Sequence, residues 1–373
     1  MQFSDIIGQH TAVNRLRQMI ANGRMPHALL FLGPKGSGKL SIALAFAQYV
    51  LCENRTTTDS CGHCRNCIKA SKLIHPDLHF SYPVIGTNVK SDSFLPQWRT
   101  ALLNNPYQNI NEWLQLIGAQ NKQGNINKEE CLNIIKKLSL KTFEAEHKVL
   151  LMWLPEFLGK EGNRLLKLIE EPPPNTLFLL VAEQQELILN TILSRCQLVK
   201  VPRLADEEIV KGLVKKDLAE ETQAQAASFL AGGNFNEAIH LIQKNENDHS
   251  SLFLDWLRKC YKGNGVEMVK WVEKFAKIGR ENQKYFLQYA LHFLREFLLL
   301  KATGNTRLRL QAEELKTAQN MSKVIEIHHI NKMSDLLSNL SYYVERNANP
   351  KILFLDSCIQ MNNILRNKVG ASH

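Results

Sequence analysis

Gly33-Pro34-Lys35-Gly36-Ser37-Gly38-Lys39-Leu40 follows the spacing G-x-x-x-x-G-K-[ST] up to its last position. Glycines at this spacing let backbone N–H groups close around phosphate oxygens, and a helix starting at the lysine adds a favourable dipole. Gly36, Gly38 and Lys39 are therefore the candidate nucleotide-binding residues, with Lys39 reaching for the outer phosphates. The closing position is Leu40, and leucine has no hydroxyl to offer the Mg²⁺ ion of such loops. The glycines also have a plainer reading, in which they only preserve a tight strand-to-helix turn. Nucleotide binding stays open on these residues alone.

Cys52, Cys61, Cys64 and Cys67 form a second constellation, C-x₈-C-x₂-C-x₂-C. Tetrahedral Zn²⁺ takes four thiolates at ~2.3 Å, and closely spaced cysteines can wrap one ion. Four protein ligands leave no open position, so a structural ion is expected. Four unrelated thiols and an iron–sulfur cluster are the alternatives. His63 lies inside the loop as a bystander, and Cys131, Cys260 and Cys358 sit in helical apolar patterns as core residues.

These groups need a frame. The runs Ala28–Leu32, Val149–Leu154, Leu177–Val181 and Gln197–Val201 read as buried strands, with a further extended stretch over 77–84. Helical patterns precede and separate them at 4–24, 41–47, 128–140 and 162–171, the last stopped by Pro172-Pro173-Pro174. Alternation of this kind predicts a parallel sheet covered on both faces. Residues 85–120 are polar, with two prolines and two tryptophans, and read as an irregular insertion. Beyond Pro202 the chain reads as three short helices over 206–243, a polar linker at 244–250, four or five longer helices, and a frayed tail at 367–373.

The 373 residues allow two or three domains, and 46 Lys+Arg against 36 Asp+Glu give a net charge of +10. That excess suits an anionic partner such as nucleic acid, or simply a basic globular protein. Met1-Gln2-Phe3-Ser4-Asp5 lacks the charged-then-apolar order of a secretory signal, and no apolar run approaches the ~20 residues of a membrane helix. A cytoplasmic location is expected, in which clustered cysteines serve a metal rather than disulfides.

Several stretches together resemble one family. They are Ile7-Gly8-Gln9, Pro26-His27-Ala28, the phosphate loop, the cysteine cluster, His75-Pro76-Asp77, the run Asn163-Arg164-Leu165-Leu166-Lys167-Leu168-Ile169-Glu170-Glu171-Pro172-Pro173, and Thr191-Ile192-Leu193-Ser194-Arg195-Cys196. In this order they resemble the clamp-loader branch of the AAA+ ATPases, over roughly residues 3–240. The resemblance implies an α/β fold: a RecA-like AAA+ parallel-sheet domain at 1–202, a small helical lid at 203–247 and an all-α collar at 248–373. It favours Zn²⁺ for the cysteines. It implies a hetero-oligomeric ring with gamma/tau-type ATPase and delta-type subunits of the DNA polymerase III holoenzyme, acting on a sliding clamp and primed DNA, with no membrane.

Within the same resemblance, hydrolysing members carry Asp-Glu where this chain has Trp153-Leu154, a polar sensor where it has Ala182, and a lid arginine where it has Asn236. With Leu40, five polar groups are replaced together. Glu156 falls on the following turn and reads as a solvated residue. A site that does not hydrolyse ATP is expected. Arg195, by contrast, matches the family's arginine finger, which reaches a neighbouring subunit's ATP; on the bare triplet it reads as a surface arginine in an ion pair. Two other functions compete: an active gamma/tau-type ATPase, and a zinc-dependent nucleic-acid-binding module with a decayed nucleotide site.

Overall fold

The computed structural model describes residues 1–119, 122–243, 249–304, 308–310, 312–346 and 348–366. The expected tail at 367–373 and the linker residues 244–248 lie outside these. Two compact units emerge: Met1–Ala224 with Ala231–His240, and Gln225–Leu230 with Leu241–His373.

The first unit runs α1 (His10–Ala21), β1 (Ala28–Leu32), α2 (Lys39–Leu51), α3 (Arg65–Ser71), β2 (Leu78–Ser81), α4 (Leu95–Asn104), α5 (Ile110–Leu116), α6 (Lys128–Ser139), β3 (Lys148–Trp153), α7 (Leu166–Glu170), β4 (Thr176–Ala182), α8 (Asn190–Leu193), β5 (Gln197–Lys200) and α9 (Asp206–Lys215). The five strands form one sheet in the order β2-β3-β4-β1-β5, and every pairing is parallel. β3 and β4 are buried along their whole length, as strands covered on both faces must be. The two-residue alternation of a strand divides β1 between two cores. Leu29 and Phe31 pack with α2, while Ala28 and Leu30 pack on the opposite face with Ile134, Ile169 and Ile192. α2 is buried at every position, which explains why its sequence is apolar all round.

Three sequence expectations are corrected. The helix expected over 4–24 is a short 3₁₀ turn at Phe3–Asp5 followed by α1, because Gly8 and Gln9 hold left-handed backbone between them. The region 162–171 opens in a 3₁₀ segment, Pro155–Leu165, and becomes α-helical only at Leu166. The insertion 85–120 is ordered through its described part: it carries α4 and α5, and Trp98 and Trp113 are both fully buried. Trp98 stacks on Tyr82 with centroids 4.1 Å apart and lies 5.2 Å from Trp153. The short helices lack a long hydrophobic period, yet their tryptophans form the centre of a core.

The chain continues through α10 (Glu221–Ala231) and α11 (Phe235–Gln243). The second unit then carries α12 (His249–Lys262), α13 (Gly265–Phe275), α14 (Arg280–Thr303), α15 (Ala312–Ser322), α16 (Ile327–Glu345) and α17 (Pro350–Arg366). Among the described residues this is six helices, one more than the pattern suggested, and the expected linker residues 249–250 open α12. Their core is aromatic: Phe253, Trp256, Phe286, Phe293 and Phe354 are all fully buried. Cys131, Cys260 and Cys358 are core residues, as expected. Among the described residues, no helix is long and apolar enough to cross a membrane.

Candidate functional site

The phosphate loop joins β1 to α2 at the C-terminal edge of the sheet, where ligands of open α/β sheets bind. Gly36 has φ +65° and Gly38 φ +87°, so two glycines supply the left-handed backbone the turn needs. The space above them is taken by the protein itself. A Cβ on Gly36 would lie 1.7 Å from Asn234 Oδ1, and one on Gly38 would lie 3.1 Å from the Tyr107 ring. The Phe235 N–H donates to the Gly36 carbonyl at 3.0 Å. Tyr107 and Phe235 then pack together, centroids 4.7 Å apart. Gln9 braces the loop from beneath, donating through Nε2 to the Ser37 and Pro202 carbonyls at 3.0 and 2.7 Å.

Lys39 is only 5% exposed. Its ammonium donates to the Pro34 carbonyl at 2.9 Å and pairs with Glu183 Oε1 at 3.2 Å. Burial pushes the lysine pKa below its ordinary value, and the Glu183 carboxylate works against that. The Lys39 ammonium is thus engaged by the protein's own carbonyl and carboxylate. A cavity of about 360 Å³ remains beside the loop, lined by Lys35, Glu183, Gln184, Arg203 and the turn 231–234.

The five positions where the resemblance expects polar groups are taken up in packing and local hydrogen bonds. Leu40 and Trp153 join the core beneath the loop, and Ala182 is fully buried. Leu154 sits in left-handed backbone and extends the sheet through its N–H to the Val181 carbonyl at 2.8 Å. Asn236 is 2% exposed and donates to Glu112 Oε1 at 2.6 Å; His240 meets the same oxygen at 2.7 Å. Burial raises the Glu112 pKa, but the bonds from His240 and Asn236 outweigh it and hold the carboxyl below its ordinary range. Glu156 is no solvated turn residue. Its Oε1 accepts the N–H groups of Glu183 and Gln184, and burial pushes its pKa up.

At the other end of α2 the four cysteines converge. Their Sγ atoms all lie within 4.8 Å of one another, with Cys52–Cys61, Cys61–Cys67 and Cys64–Cys52 separations of 3.6, 3.9 and 4.0 Å. A tetrahedron with ligands at ~2.3 Å has edges of about 3.8 Å. N–H groups of Cys61, Cys64 and Cys67 point at the sulfurs of Cys52, Cys61 and Cys64 at 3.3, 3.3 and 3.4 Å. Burial disfavours the Cys61 thiolate, yet the N–H groups of Cys64 and His63 hold its pKa down to about 6. This cluster can hold a metal ion. His63 turns its Nδ1 to the Cys61 carbonyl at 2.8 Å and stays outside it. The start of the chain clamps the loop, since the Phe3 and Ser4 N–H groups both donate to Asp59 at 3.0 Å.

Arg195 follows α8 in the same unit. Its Nη1 donates to the Thr191 carbonyl at 2.6 Å and to Ser194 Oγ at 3.1 Å. Its Nη2 forms an ion pair with Glu170 at the end of α7. The Arg195 side chain as a whole remains one-third exposed.

A parallel sheet in this order, with a phosphate loop leaving β1 and helices following it, is the AAA+ class of nucleotide-binding fold. The family described as "DNA polymerase III, delta subunit" matches residues 8–205, just over half of the chain, and the chain belongs to that family. It is similar to the DNA polymerase III subunit tau of Bacillus subtilis, 22% identical over 95% of this chain and 60% of the relative. It is also similar to two delta-prime subunits. That of Bacillus subtilis is 27% identical over 64% of this chain and 60% of the relative; that of Haemophilus influenzae is 31% identical over 56% and 53%. The aligned part thus spans about 60% of the length of the first relatives.

Sequence reasoning missed Tyr107, Glu112, Glu183 and Asn234. Glu183 directly follows the sensor position Ala182, so a carboxylate there was a visible signal. The others lie far in sequence from the groups they meet.

Proposed function

We propose that this chain is a clamp-loader subunit of the replicative DNA polymerase III, of the delta-prime type, that does not hydrolyse ATP and supplies Arg195 in trans to a neighbouring gamma/tau-type ATPase. Its ring would include a delta-type subunit and load a sliding clamp on primed DNA in the cytoplasm. On this reading residues 203–247 act as the lid and 248–373 as the collar.

The observation that carries the reading is the buried Lys39–Glu183 pair. A lysine committed to a carboxylate, under a loop capped by Asn234 and Phe235, is poorly placed to receive a triphosphate. At the positions where the resemblance expects groups that hold Mg²⁺ and the attacking water, this chain carries Leu40, Trp153 and Leu154. The family match and the delta-prime relatives support the assignment to a clamp loader. The cysteine geometry favours a structural Zn²⁺ held by Cys52, Cys61, Cys64 and Cys67, which would fix the loop beyond α2 and supply no chemistry to the nucleotide site.

The guanidinium of Arg195 offers a planar set of donors to a γ-phosphate as charge develops, a role worth on the order of 10³-fold or more where chemistry limits the rate. The test is steady-state ATP turnover. The isolated chain should show none above background. In the assembled complex, Arg195→Ala should slow hydrolysis, and Arg195→Lys should rescue it poorly because an ammonium lacks the fork. Mg²⁺-dependent turnover by the isolated chain would favour the active-ATPase reading instead.

A further inference from the structure

We propose that Glu170 is the positioning residue of Arg195: it holds the guanidinium at the end of α8 in the orientation from which it serves a phosphate in trans. The inference deepens the function proposed above and rests on it.

Two short helices carry the pair, and each is pinned from below. Ile169, beside Glu170, is 2% exposed, and Ile192, three residues before Arg195, is 1% exposed; both belong to the same core on one face of the sheet. α7 ends at Glu170, where the Glu171 N–H closes on the Lys167 carbonyl at 3.0 Å and the prolines forbid another turn. The Arg195 N–H likewise closes on the Ile192 carbonyl at 3.1 Å. Both backbones are fixed, so the two side chains meet at a set place.

A guanidinium has five N–H donors. Thr191 and Ser194 take two contacts on Nη1, and Glu170 engages Nη2. Among the described residues no further hydrogen bond from Arg195 takes the remaining donors, which can meet a phosphate arriving from outside. Three contacts from two elements define the plane of the fork, which a long, flexible side chain could not do alone.

Stability is a poor explanation for the pair. Side-chain exposures are 33% for Arg195 and 43% for Glu170, and ion pairs this open to water contribute little to folding. What the carboxylate does supply is direction.

The experiment compares Glu170→Gln, Glu170→Asp, Arg195→Ala and the double variant Glu170→Gln/Arg195→Ala in the complex reconstituted with gamma/tau-type and delta-type partners. Assembly is checked by gel filtration, thermal stability is recorded, and kcat and KM for MgATP are measured on primed DNA. Glu170→Gln should lower kcat at the adjacent site by about three- to tenfold, with KM and melting temperature unchanged, because orientation is lost and binding is not. Glu170→Asp, which keeps the charge, should recover part of the loss. On the Arg195→Ala background, Glu170→Gln should cost nothing further. Wild-type or faster turnover in Glu170→Gln, with Arg195→Ala slow, would overturn the positioning role and leave the finger standing. An equal loss in both backgrounds would also overturn it, since Glu170 would then act through the fold. Wild-type turnover in Arg195→Ala would remove the trans role and this inference together.

Discussion

The two ends of α2 present the same kind of motif in opposite conditions. At its start, a phosphate loop has kept its glycines and its lysine, but the protein has satisfied them from within: Glu183 takes Lys39, and Asn234 and Phe235 close on Gly36. At its end, four sulfurs lie within 4.8 Å of one another, with backbone N–H groups aimed at three of them. A motif states which ligand atoms are present. Whether they form a site depends on what else they can bond to, and that is a property of the packed chain.

The contrast can be broken most forcefully at the cysteines. If they hold a structural ion, Cys64→Ser should remove it and cost more than about 4 kcal/mol, the range reserved for lost metals and similar failures. Elemental analysis should find about one zinc per wild-type chain. Native protein without zinc, or an unchanged denaturation midpoint in the variant, would make the two ends of α2 alike.

The next largest effect lies at the loop. Glu183→Gln leaves a buried, unpaired ammonium and should cost about 3 kcal/mol by urea unfolding at neutral pH. Lys39→Met in the same chain should restore most of that. The loss should also shrink as pH rises. Lys39 already titrates below its ordinary 10.5 in the folded chain, so between that lowered value and 10.5 the unfolded chain holds more protons. Stability contributed by Lys39 therefore rises with pH across that window. Removing Glu183 lowers the folded value further and widens the window downward. A pH-independent deficit would mean that Lys39 is not the group left exposed to the penalty.

Much of this frame was legible because it is local. Apolar runs bounded by turns gave the central strands, and short cysteine spacing gave the cluster. The 85–120 region was not legible, since α4 and α5 are too short for a period and their role depends on contacts with distant partners. Tyr107 reaches Gly38, and Glu112 reaches Asn236 across 124 residues. The break at Gly8 and Gln9 was hidden for another reason: glutamine rarely adopts left-handed backbone, and here its side chain is held by two carbonyls. The Lys39–Glu183 pair spans 144 residues, and the one signal for it in the sequence is the place of Glu183 directly after Ala182.

The smallest expected effect is no effect. A ligand that binds the folded chain at 100 times its Kd adds about 2.7 kcal/mol to stability. MgATP at about 1 mM should leave the melting temperature of the isolated chain unchanged within about 1 °C, whereas chelation of the metal should lower it by several degrees. A clear upward shift with MgATP would show that the closed loop opens for nucleotide.

The proposal that this chain has given up its own nucleotide chemistry and serves a neighbour's is decided by two variants measured side by side. Complexes carrying either Lys39→Met/Glu183→Gln or Arg195→Ala are assembled, and steady-state ATP hydrolysis is measured on primed DNA. Near wild-type turnover is expected for the first, which alters only the home site, and markedly slowed turnover for the second. Slowed turnover in the first with wild-type turnover in the second, both correctly assembled, would place the chemistry in the phosphate loop and contradict the proposal.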